Sequence, residues 1–339
     1  MLEKLSNAIG VSGYEDEVAE LIKTEMEKYA DEVKRDKLGN IIGIKRGNGK
    51  GAVMLAAHMD EIGFMITHVG KFLHFAPVGG IDSRVLLGQE VTVLTKNGKY
   101  NGVIGAKPPH IQKEEERKKT VKMDDLVIDL GMPEEDTKKI VGKGDFAVVN
   151  ATFAELANGC VTGKALDDRA CVYTLLKTME LLDNPYPDIY FVATTQEEVG
   201  ARGAKVCGYK IFPDIAIALD VCSARAKMSK KVTKKLGKGP AIAQGANISP
   251  KIFKLLKETA EKEKIPYQVN VIPGRSGTDA AWLQVAKSGT ASGIVSVPLR
   301  YMHTPVETIN LKDVRNSAEL LKKFIMGIDK DVLEGLSCF

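Results

Sequence analysis

Residues 52–64, AVMLAAHMDEIGF, are the stretch that decides the fold. Residues 53–57 form an unbroken apolar run, which is typical of a strand buried on both faces in a parallel sheet. His58, Asp60 and Glu61 follow directly. The carboxyl ends of strands in open α/β sheets open onto the ligand crevice, so these side chains are candidates for chemistry. An imidazole followed two residues later by a carboxylate suits a metal ligand with its orienting partner, although a histidine at a strand end is also common in purely structural roles.

The composition describes an ordinary globular protein. The chain has 339 residues, of which 44% are hydrophobic and 27% are charged, enough for one large domain or two. The net charge of +4 is too small to indicate nucleic-acid binding. The five cysteines are scattered without a CxxC pair, so we expect reduced thiols in a cytoplasmic protein and no disulfide framework. We expect neither a targeting segment nor a membrane span.

The order of patterns along the chain predicts an α/β core that is interrupted by a β-rich insertion. Up to residue 66 and again from residue 159, apolar strands occur together with amphipathic helices. Between them, residues 67–158 contain short β-like runs broken by glycine, which is typical of a small all-β module. The sequence therefore predicts a discontinuous catalytic domain of residues 1–66 and 159–339 and an inserted domain of residues 67–158.

Further polar side chains share the placement of His58. Apolar strands are predicted before the Glu197–Glu198 pair, before Asp220 and before His303, and Asp167 lies at the N-terminus of a predicted helix. Taken singly, a helix cap, a solvated acidic pair or a turn would explain each carboxylate. Taken together, they predict one cluster at one edge of one sheet.

This set of side chains suits a site for two metal ions. Histidine and carboxylate ligands without thiolates suit zinc, cobalt or manganese. Two histidines, two terminal carboxylates and one bridging carboxylate can hold two ions about 3.5–4 Å apart. A further carboxylate is then needed to carry a proton, and Glu197, beside Glu198, offers one.

The chain resembles the M42 metallo-aminopeptidases, which include glutamyl aminopeptidases, deblocking aminopeptidases and the tetrahedral (TET) peptidases. The resemblance runs over essentially the whole length and rests on AAHMDEIGF, KALDDRA, TTQEEVGARGA, IALDV, SGTDA and YMHTPVE, in the family's order. It implies a zinc-peptidase (phosphorylase/hydrolase-like) α/β/α core with an inserted small β-barrel-like domain. That domain would mediate dimerisation, and the dimers would assemble into a hollow dodecamer.

The resemblance also implies a ligand set for two divalent ions, with zinc or cobalt expected. One ion would be bound by His58, Asp167 and Asp220. The other would be bound by Asp167, Glu198 and His303, so that Asp167 bridges the two ions.

Two further roles follow from the resemblance. Glu197 would be the general base, taking a proton from the metal-bound water that attacks the scissile carbonyl and passing it to the leaving amine. Asp60 would orient His58. Of the adjacent Asp167 and Asp168, the family pattern favours the first as the bridging ligand, because relatives often carry asparagine at the second position.

The chain departs from the family pattern just beyond Asp220, where relatives often continue with small residues and a Gly-Asp pair. Residues 225–238 instead carry many lysines and arginines and no acidic residue. They form either a solvated loop or a positive lining that attracts acidic peptides. Arg275 is a candidate to pair with an acidic first side chain, which predicts a glutamyl or aspartyl preference. His110 is a second candidate for substrate binding, from the inserted domain.

The sequence thus predicts a cytoplasmic, self-assembling, dinuclear metallo-aminopeptidase that trims N-terminal residues from short peptides, without nucleic-acid or membrane partners. One alternative is a glycoside hydrolase, because some relatives carry cellulase-type names and Glu197–Glu198 is a carboxylate pair. Adjacent carboxylates on one loop do not readily flank a scissile bond from both sides, however, and the histidines would go unused. The other alternative, a non-catalytic peptide-binding scaffold, predicts a missing ligand or base, and none is missing.

Overall fold

A computed structural model describes residues 1–225 and 234–336 of the chain. The described strands fall into an 11-stranded mixed sheet and a closed barrel. In chain order, the strands are β1 (Glu32–Arg35), β2 (Ile41–Lys45), β3 (Ala52–His58), β4 (Gly63–Val69), β5 (Leu73–Val78), β6 (Glu90–Thr95), β7 (Gly98–Ala106), β8 (Leu126–Asp129), β9 (Phe146–Val149), β10 (Ala154–Leu156), β11 (Cys160–Gly163), β12 (Asp188–Thr194), β13 (Ile215–Ser223), β14 (Ala241–Gly245), β15 (Gln268–Ile272), β16 (Ala291–Arg300) and β17 (Glu307–Asn310).

Helices occur both beside the sheet and within the inserted segment. They are α1 (Leu2–Asn7), α2 (Asp16–Met26), α3 (Glu114–Arg117), α4 (Glu134–Ile140), α5 (Leu166–Leu181), α6 (Arg202–Ile211), α7 (Pro250–Lys262), α8 (Ala280–Leu283), α9 (Leu311–Met326) and α10 (Lys330–Glu334). Of these, α5 packs against the central strands β3 and β13, and α9 packs against α5. None of the helices in the described part of the chain has the length and apolarity needed to cross a lipid bilayer.

The strand order of the sheet puts β3 at its centre. The order is β1-β2-β12-β3-β13-β16-β17-β11-β10, and β14 and β15 extend it beside β16. β3 is parallel to both of its neighbours, β12 and β13. Its apolar residues 53–57 are fully buried, as expected for a strand covered on both faces. The carboxyl ends of these three parallel strands therefore lie at one edge of the sheet.

The inserted segment forms a barrel of strands in the closed order β4-β5-β8-β7-β6-β9. Alternate side chains of these strands point inward and form a separate core that includes Phe64, Phe75, Val91 and Ile128. The rings of Phe64 and Phe75 pack edge to face, with centroids 4.8 Å apart. The predicted fold class, an α/β core with an inserted β-barrel, is confirmed.

Some elements differ from the prediction. Asp220 does not end its strand, because β13 continues to Ser223 and its last residues pair with residues 297–299 of β16. Among the elements that were not predicted are the strands β10, β11, β14, β15 and β17 and the helix α6. Of the basic stretch 225–238, residues 226–233 lie outside the described residues.

Candidate metal centre

The register of the central strands aligns the polar side chains of the site. His58 at the end of β3 pairs with Thr194 at the end of β12, so the loop after β12 starts beside it. On the other side, β13 pairs with β3 up to Ala218 and Ala56, and this register carries Asp220 level with His58. Side chains that are far apart in sequence thus meet at one edge, as the hydrophobic runs indicate.

Asp167 lies between the two histidines. Its Oδ1 is 3.2 Å from Nε2 of His58, and its Oδ2 is 3.4 Å from Nε2 of His303. The same Nε2 of His303 is 3.3 Å from Oε1 of Glu198. Ligand atoms of His58, Asp167 and Glu198 lie within 4.8 Å of one another. One carboxylate therefore faces two imidazoles, one with each oxygen.

A second group of candidate ligands adjoins the first. It consists of His58, Asp168 and Asp220, whose ligand atoms also lie within 4.8 Å of one another. Asp220 is 7% exposed, and its Oδ1 accepts a hydrogen bond from the Val221 N–H at 2.7 Å. Asp168 is fully buried, and neither of its carboxylate oxygens has a hydrogen-bond partner among the described residues.

The charges of this cluster fit a bound cation. Burial and the neighbouring Asp168 and Asp167 raise the pKa of Asp220 well above its ordinary value. Hydrogen bonds to Asp167 and Glu198 raise the pKa of His303 to about 11. Carboxylates crowded together out of water repel one another unless a positive charge lies among them. Without an ion, protons must supply that charge, and the donor set suits a divalent cation in their place.

The proton on His58 can be assigned from its contacts. Nδ1 of His58 lies 3.1 Å from the backbone carbonyl of Asp60, which can only accept a hydrogen bond. Nδ1 therefore carries a proton, and Nε2, which faces Asp167, is the nitrogen available to a metal ion.

The carboxylate of Asp60 forms its hydrogen bonds mainly with groups other than His58. Its Oδ1 is 3.5 Å from Nδ1 of His58 but accepts the Glu197 N–H at 2.9 Å. Its Oδ2 accepts the Ser12 hydroxyl at 2.5 Å and the Glu198 N–H at 3.2 Å. Asp60 is fully buried. It thus holds the backbone that carries Glu197 and Glu198.

Residues 195–201, here called the base loop, are held by two further side chains that the sequence analysis did not single out. Oδ1 of Asn40 accepts the Thr195 N–H at 2.9 Å, and Oε1 of Glu15 accepts the Gln196 N–H at 3.3 Å. Gln196 has a φ of 56°, in the left-handed region that non-glycine residues rarely adopt. With Asp60, these side chains accept four consecutive backbone N–H groups. No sequence signal connected Asn40 or Glu15 to the base loop.

Glu197 lines a cavity of about 660 Å³ together with His58, Asp167, Glu198, Asp220 and His303. Burial and the nearby carboxylates of Asp279, Asp60 and Glu198 raise the pKa of Glu197 to about 8. The structure thus brings the five predicted ligands and the predicted base to one cavity.

Another part of the cavity lining comes from the loop before α8 and from α8 itself. Arg275 and Trp282 line it, and the guanidinium carbon of Arg275 is 4.6 Å from the centroid of the Trp282 ring. Nζ of Lys205 lies 3.5 Å from the same centroid. His110 lies elsewhere, exposed in a 3₁₀ turn (Pro109–Ile111) of the inserted segment, and is not among the described residues that line the cavity.

Comparisons with known proteins agree with this geometry. The sequence profile of the M42 glutamyl aminopeptidase family matches residues 39–320. A lysyl aminopeptidase from Pyrococcus furiosus is 37% identical over 335 residues, which cover 96% of each chain.

Solved structures are similar over the same length. The aminopeptidase APDkam598 from Desulfurococcus kamchatkensis superimposes with a TM-score of 0.93 at 40% identity, over 99% of this chain and 96% of that one. The TET1 peptidase from Pyrococcus horikoshii superimposes with a TM-score of 0.85 at 36% identity, over 96% of this chain and 98% of that one. That peptidase can assemble into a tetrahedron or a large octahedral shell. The chain belongs to the M42 family of metallopeptidases and is an aminopeptidase.

Proposed function

We propose that this chain is a dinuclear, metal-dependent aminopeptidase that removes N-terminal residues, with acidic ones preferred, from short peptides. The position of Asp167 carries this proposal, because its two oxygens face His58 and His303 separately. A carboxylate placed between two imidazoles suits a ligand shared by two ions. His58 and Asp220 would complete the site of one ion, and Glu198 and His303 would complete the other.

Zinc and cobalt are the ions that we propose for this ligand set. When bound, such ions supply Lewis acidity to the scissile carbonyl and to the attacking water, and their charge offsets the repulsion among the carboxylates. The chain's own side chains then provide positioning and proton transfer.

Glu197 is the proposed general base. It is beside the ligand Glu198, and its backbone N–H is held by Asp60. It would take a proton from the attacking water and later donate it to the departing amine. Because only the deprotonated carboxylate can accept this proton, the activity should fall as the pH decreases through the pKa that Glu197 has in the metal-loaded enzyme.

Arg275 supports the acidic preference. Among the described residues that line the cavity, it is the only lysine or arginine, and each carboxylate there is a proposed ligand or the base. A guanidinium pairs well with a carboxylate, whereas a substrate lysine would find no unassigned acid. The P. furiosus relative is named a lysyl aminopeptidase, so the preference of this chain needs its own measurement. His110 is not among the described residues that line this cavity, and its contact with substrate stays a prediction.

We also propose that the inserted domain, residues 67–158, mediates dimerisation, that residues 1–66 and 159–339 form the catalytic domain, and that the dimers assemble into a dodecamer. The closed barrel, whose strands run between Gly63 and Val149, supports a separate domain. The P. horikoshii relative, which forms shells, supports assembly. The free thiols of the described cysteines support a cytoplasmic location. Native mass spectrometry of the purified chain would test the assembly.

The two alternative functions, a glycoside hydrolase and a non-catalytic peptide-binding scaffold, are less well supported. Family membership and the two histidines favour peptide hydrolysis over glycoside hydrolysis. The presence of all five proposed ligands and of Glu197 around one cavity argues against a non-catalytic scaffold.

The test is the turnover of aminoacyl-p-nitroanilides by the protein as purified, after chelation, and after addition of zinc, cobalt or manganese. We expect activity that is lost to the chelator, restored by metal, and highest for the glutamyl and aspartyl substrates. The Glu197→Gln variant should bind the same metal and lose about 1,000-fold in kcat. Activity that survives complete metal removal, or a Glu197→Gln variant with wild-type kcat, would contradict the mechanism, and a strong leucyl preference would contradict the substrate class.

A further inference from the structure

Glu307 connects the two segments that carry Asp167 and His303. It begins β17 and is 2% exposed. Its Oε1 accepts the His303 N–H at 2.7 Å, and its Oε2 accepts the Asp167 N–H at 2.9 Å. Each oxygen of this carboxylate thus holds the backbone of one proposed ligand.

The same two residues also meet through their side chains. Nε2 of His303 is 3.4 Å from Oδ2 of Asp167. Their backbones are therefore joined by Glu307, and their side chains converge on the place where a shared ion would lie. Glu307 thus contacts the backbone from which each of these side chains starts.

The loop of His303 needs such a contact. His303 and Tyr301 both have positive φ values, 60° and 61°, which are unfavourable for residues with a β-carbon. Hydrogen bonds to the surrounding structure are what keep such a backbone in one conformation. Glu307 supplies one of them directly to the His303 N–H.

The contacts of Glu307 also separate its role from that of a ligand. Both of its oxygens already accept N–H groups, and none of the ion pairs found in the described part of the chain includes it. A carboxylate that accepts two backbone N–H groups is suited to fixing backbone positions.

We propose that Glu307 is a positioning residue that sets the spacing of Asp167 and His303 and thereby the affinity for the ion that these two ligands share. This inference rests on the proposed function. Asp167 also binds the other ion, but His58 and Asp220 hold that ion as well, and no hydrogen bond or ion pair among the described residues joins these two to Glu307. The larger effect is therefore expected on the ion that Asp167 and His303 share.

The test variant is Glu307→Gln. A glutamine has nearly the same shape, but it accepts hydrogen bonds only through its carbonyl oxygen, so its NH₂ group must face one of the two N–H groups. Metal-free protein would be titrated with Co²⁺ and with Zn²⁺ in competition with a chelating dye. We expect the affinity for one of the two ions to fall by about 10–100-fold, the usual effect of removing a hydrogen bond that orients a ligand.

Asp313 offers a matched control. It is fully buried, it lies in the first turn of α9, and its two oxygens accept the Gly237 and Gly239 N–H groups at 2.7 Å each. Asp313→Asn thus makes the same kind of change away from the metal centre. We expect it to lower the unfolding midpoint in urea to a similar extent and to leave both metal affinities unchanged.

A Glu307→Gln variant that binds both ions as the wild type does, or that loses affinity only as much as Asp313→Asn does, would overturn the inference. Glu307→Asp, which keeps both acceptor oxygens on a shorter side chain, gives a second measurement if the glutamine variant does not fold. The affinity of Glu307→Asp for the affected ion should lie between those of the wild type and the glutamine variant. If Glu307→Asp binds both ions with the wild-type affinities, the inference is again overturned. A wild-type chain that binds fewer than two ions would instead overturn the proposed function.

Discussion

The two sides of the cavity are built in different ways. On the metal side, His58, Asp167 and Asp220 are 3–7% exposed, and buried carboxylates accept hydrogen bonds from the neighbouring backbone N–H groups. On the substrate side, Arg275 is exposed and Trp282 is half-buried. The contact between them is a cation–π contact, with the guanidinium carbon 4.6 Å from the ring centroid.

This difference suggests that one side of the cavity serves the reaction itself and the other serves the choice of substrate. Buried, hydrogen-bonded side chains keep the geometry that metal binding and proton transfer require, because a displacement of about 1 Å can cost 100-fold in rate. Exposed side chains can change without disturbing the fold. Substitutions on the metal side should therefore affect all substrates equally, and those on the substrate side should affect only some.

Among the substitutions that test this comparison, Asp60→Asn is expected to have the largest effect. The amide NH₂ would face the Glu197 N–H or the Glu198 N–H, and the base loop would shift. We expect kcat to fall about 100-fold for glutamyl and leucyl substrates alike. Steady-state kinetics on both substrates would measure it. Ser12→Ala, which removes a single donor to Asp60, is the control and should change kcat only a few-fold. A loss of kcat confined to one of the two substrates would contradict the expected difference between the metal side and the substrate side.

A smaller and selective effect is expected from Arg275→Ala. Removal of the guanidinium should lower kcat/KM for a glutamyl substrate about 10-fold, because one charge-assisted pair at a partly exposed site is lost. The value for a leucyl substrate should stay within about two-fold of the wild type. The kcat/KM of Arg275→Lys for the glutamyl substrate should lie between those of the wild type and Arg275→Ala, since an ammonium cannot make the bidentate contact. Equal losses for both substrates would show that Arg275 acts on the chemistry.

Buried carboxylates that accept backbone N–H groups should make the free energy of unfolding depend on pH, whereas the exposed side chains on the substrate side should not. Burial raises the pKa of Asp313 to about 6, above its ordinary value of 3.8. The folded chain then binds this proton more tightly than the unfolded chain does, so the stabilising contribution is present at low pH and is lost as the pH rises through 6. Between pH 5 and pH 7.5 the wild type should lose about 1 kcal/mol relative to Asp313→Asn. Urea unfolding at both pH values would measure the difference, and a gap that widens with pH would contradict it.

The smallest effect is expected from Lys205→Ala. Nζ of Lys205 lies over the Trp282 ring, but the side chain is exposed, so this cation–π contact is worth about 0.5 kcal/mol. We expect kcat/KM for the glutamyl substrate to fall less than about three-fold and the thermal midpoint to stay nearly constant. A loss as large as that of Arg275→Ala would place Lys205 in the substrate contact itself.

The core of the fold and the ligand cluster were predictable because they follow from apolar runs. The buried strands β3, β12 and β13 each contain such a run. Because parallel strands expose their carboxyl ends at one edge, the polar residues that follow them can be grouped from the sequence alone. Asp220 shows the limit of this argument, since its strand continues past it.

The supporting contacts were not predictable in the same way. Glu15, Asn40 and Glu307 act on backbone N–H groups far away in sequence, and no periodicity encodes such a partner. Strand β15 was missed because it alternates between half-buried and exposed residues without an apolar run. For Asp60, the sequence indicated a carboxylate near His58 but gave no sign of its bonds to the base loop.

The barrel lies in the chain between β3 and its neighbours β12 and β13, and this order bears on how the protein folds. Pairing β3 with β12 requires a long loop to close, and such non-local pairing slows folding because the entropy is lost before the contacts form. The barrel closes through shorter loops, and its pairing of β4 with β9 sets Phe64 beside Ala147. Once the barrel has formed, the two halves of the sheet start close together. Formation of the barrel thus shortens the loop that must close when β3 pairs with β12, and this pairing brings the two halves of the site, with His58 and Asp167, together.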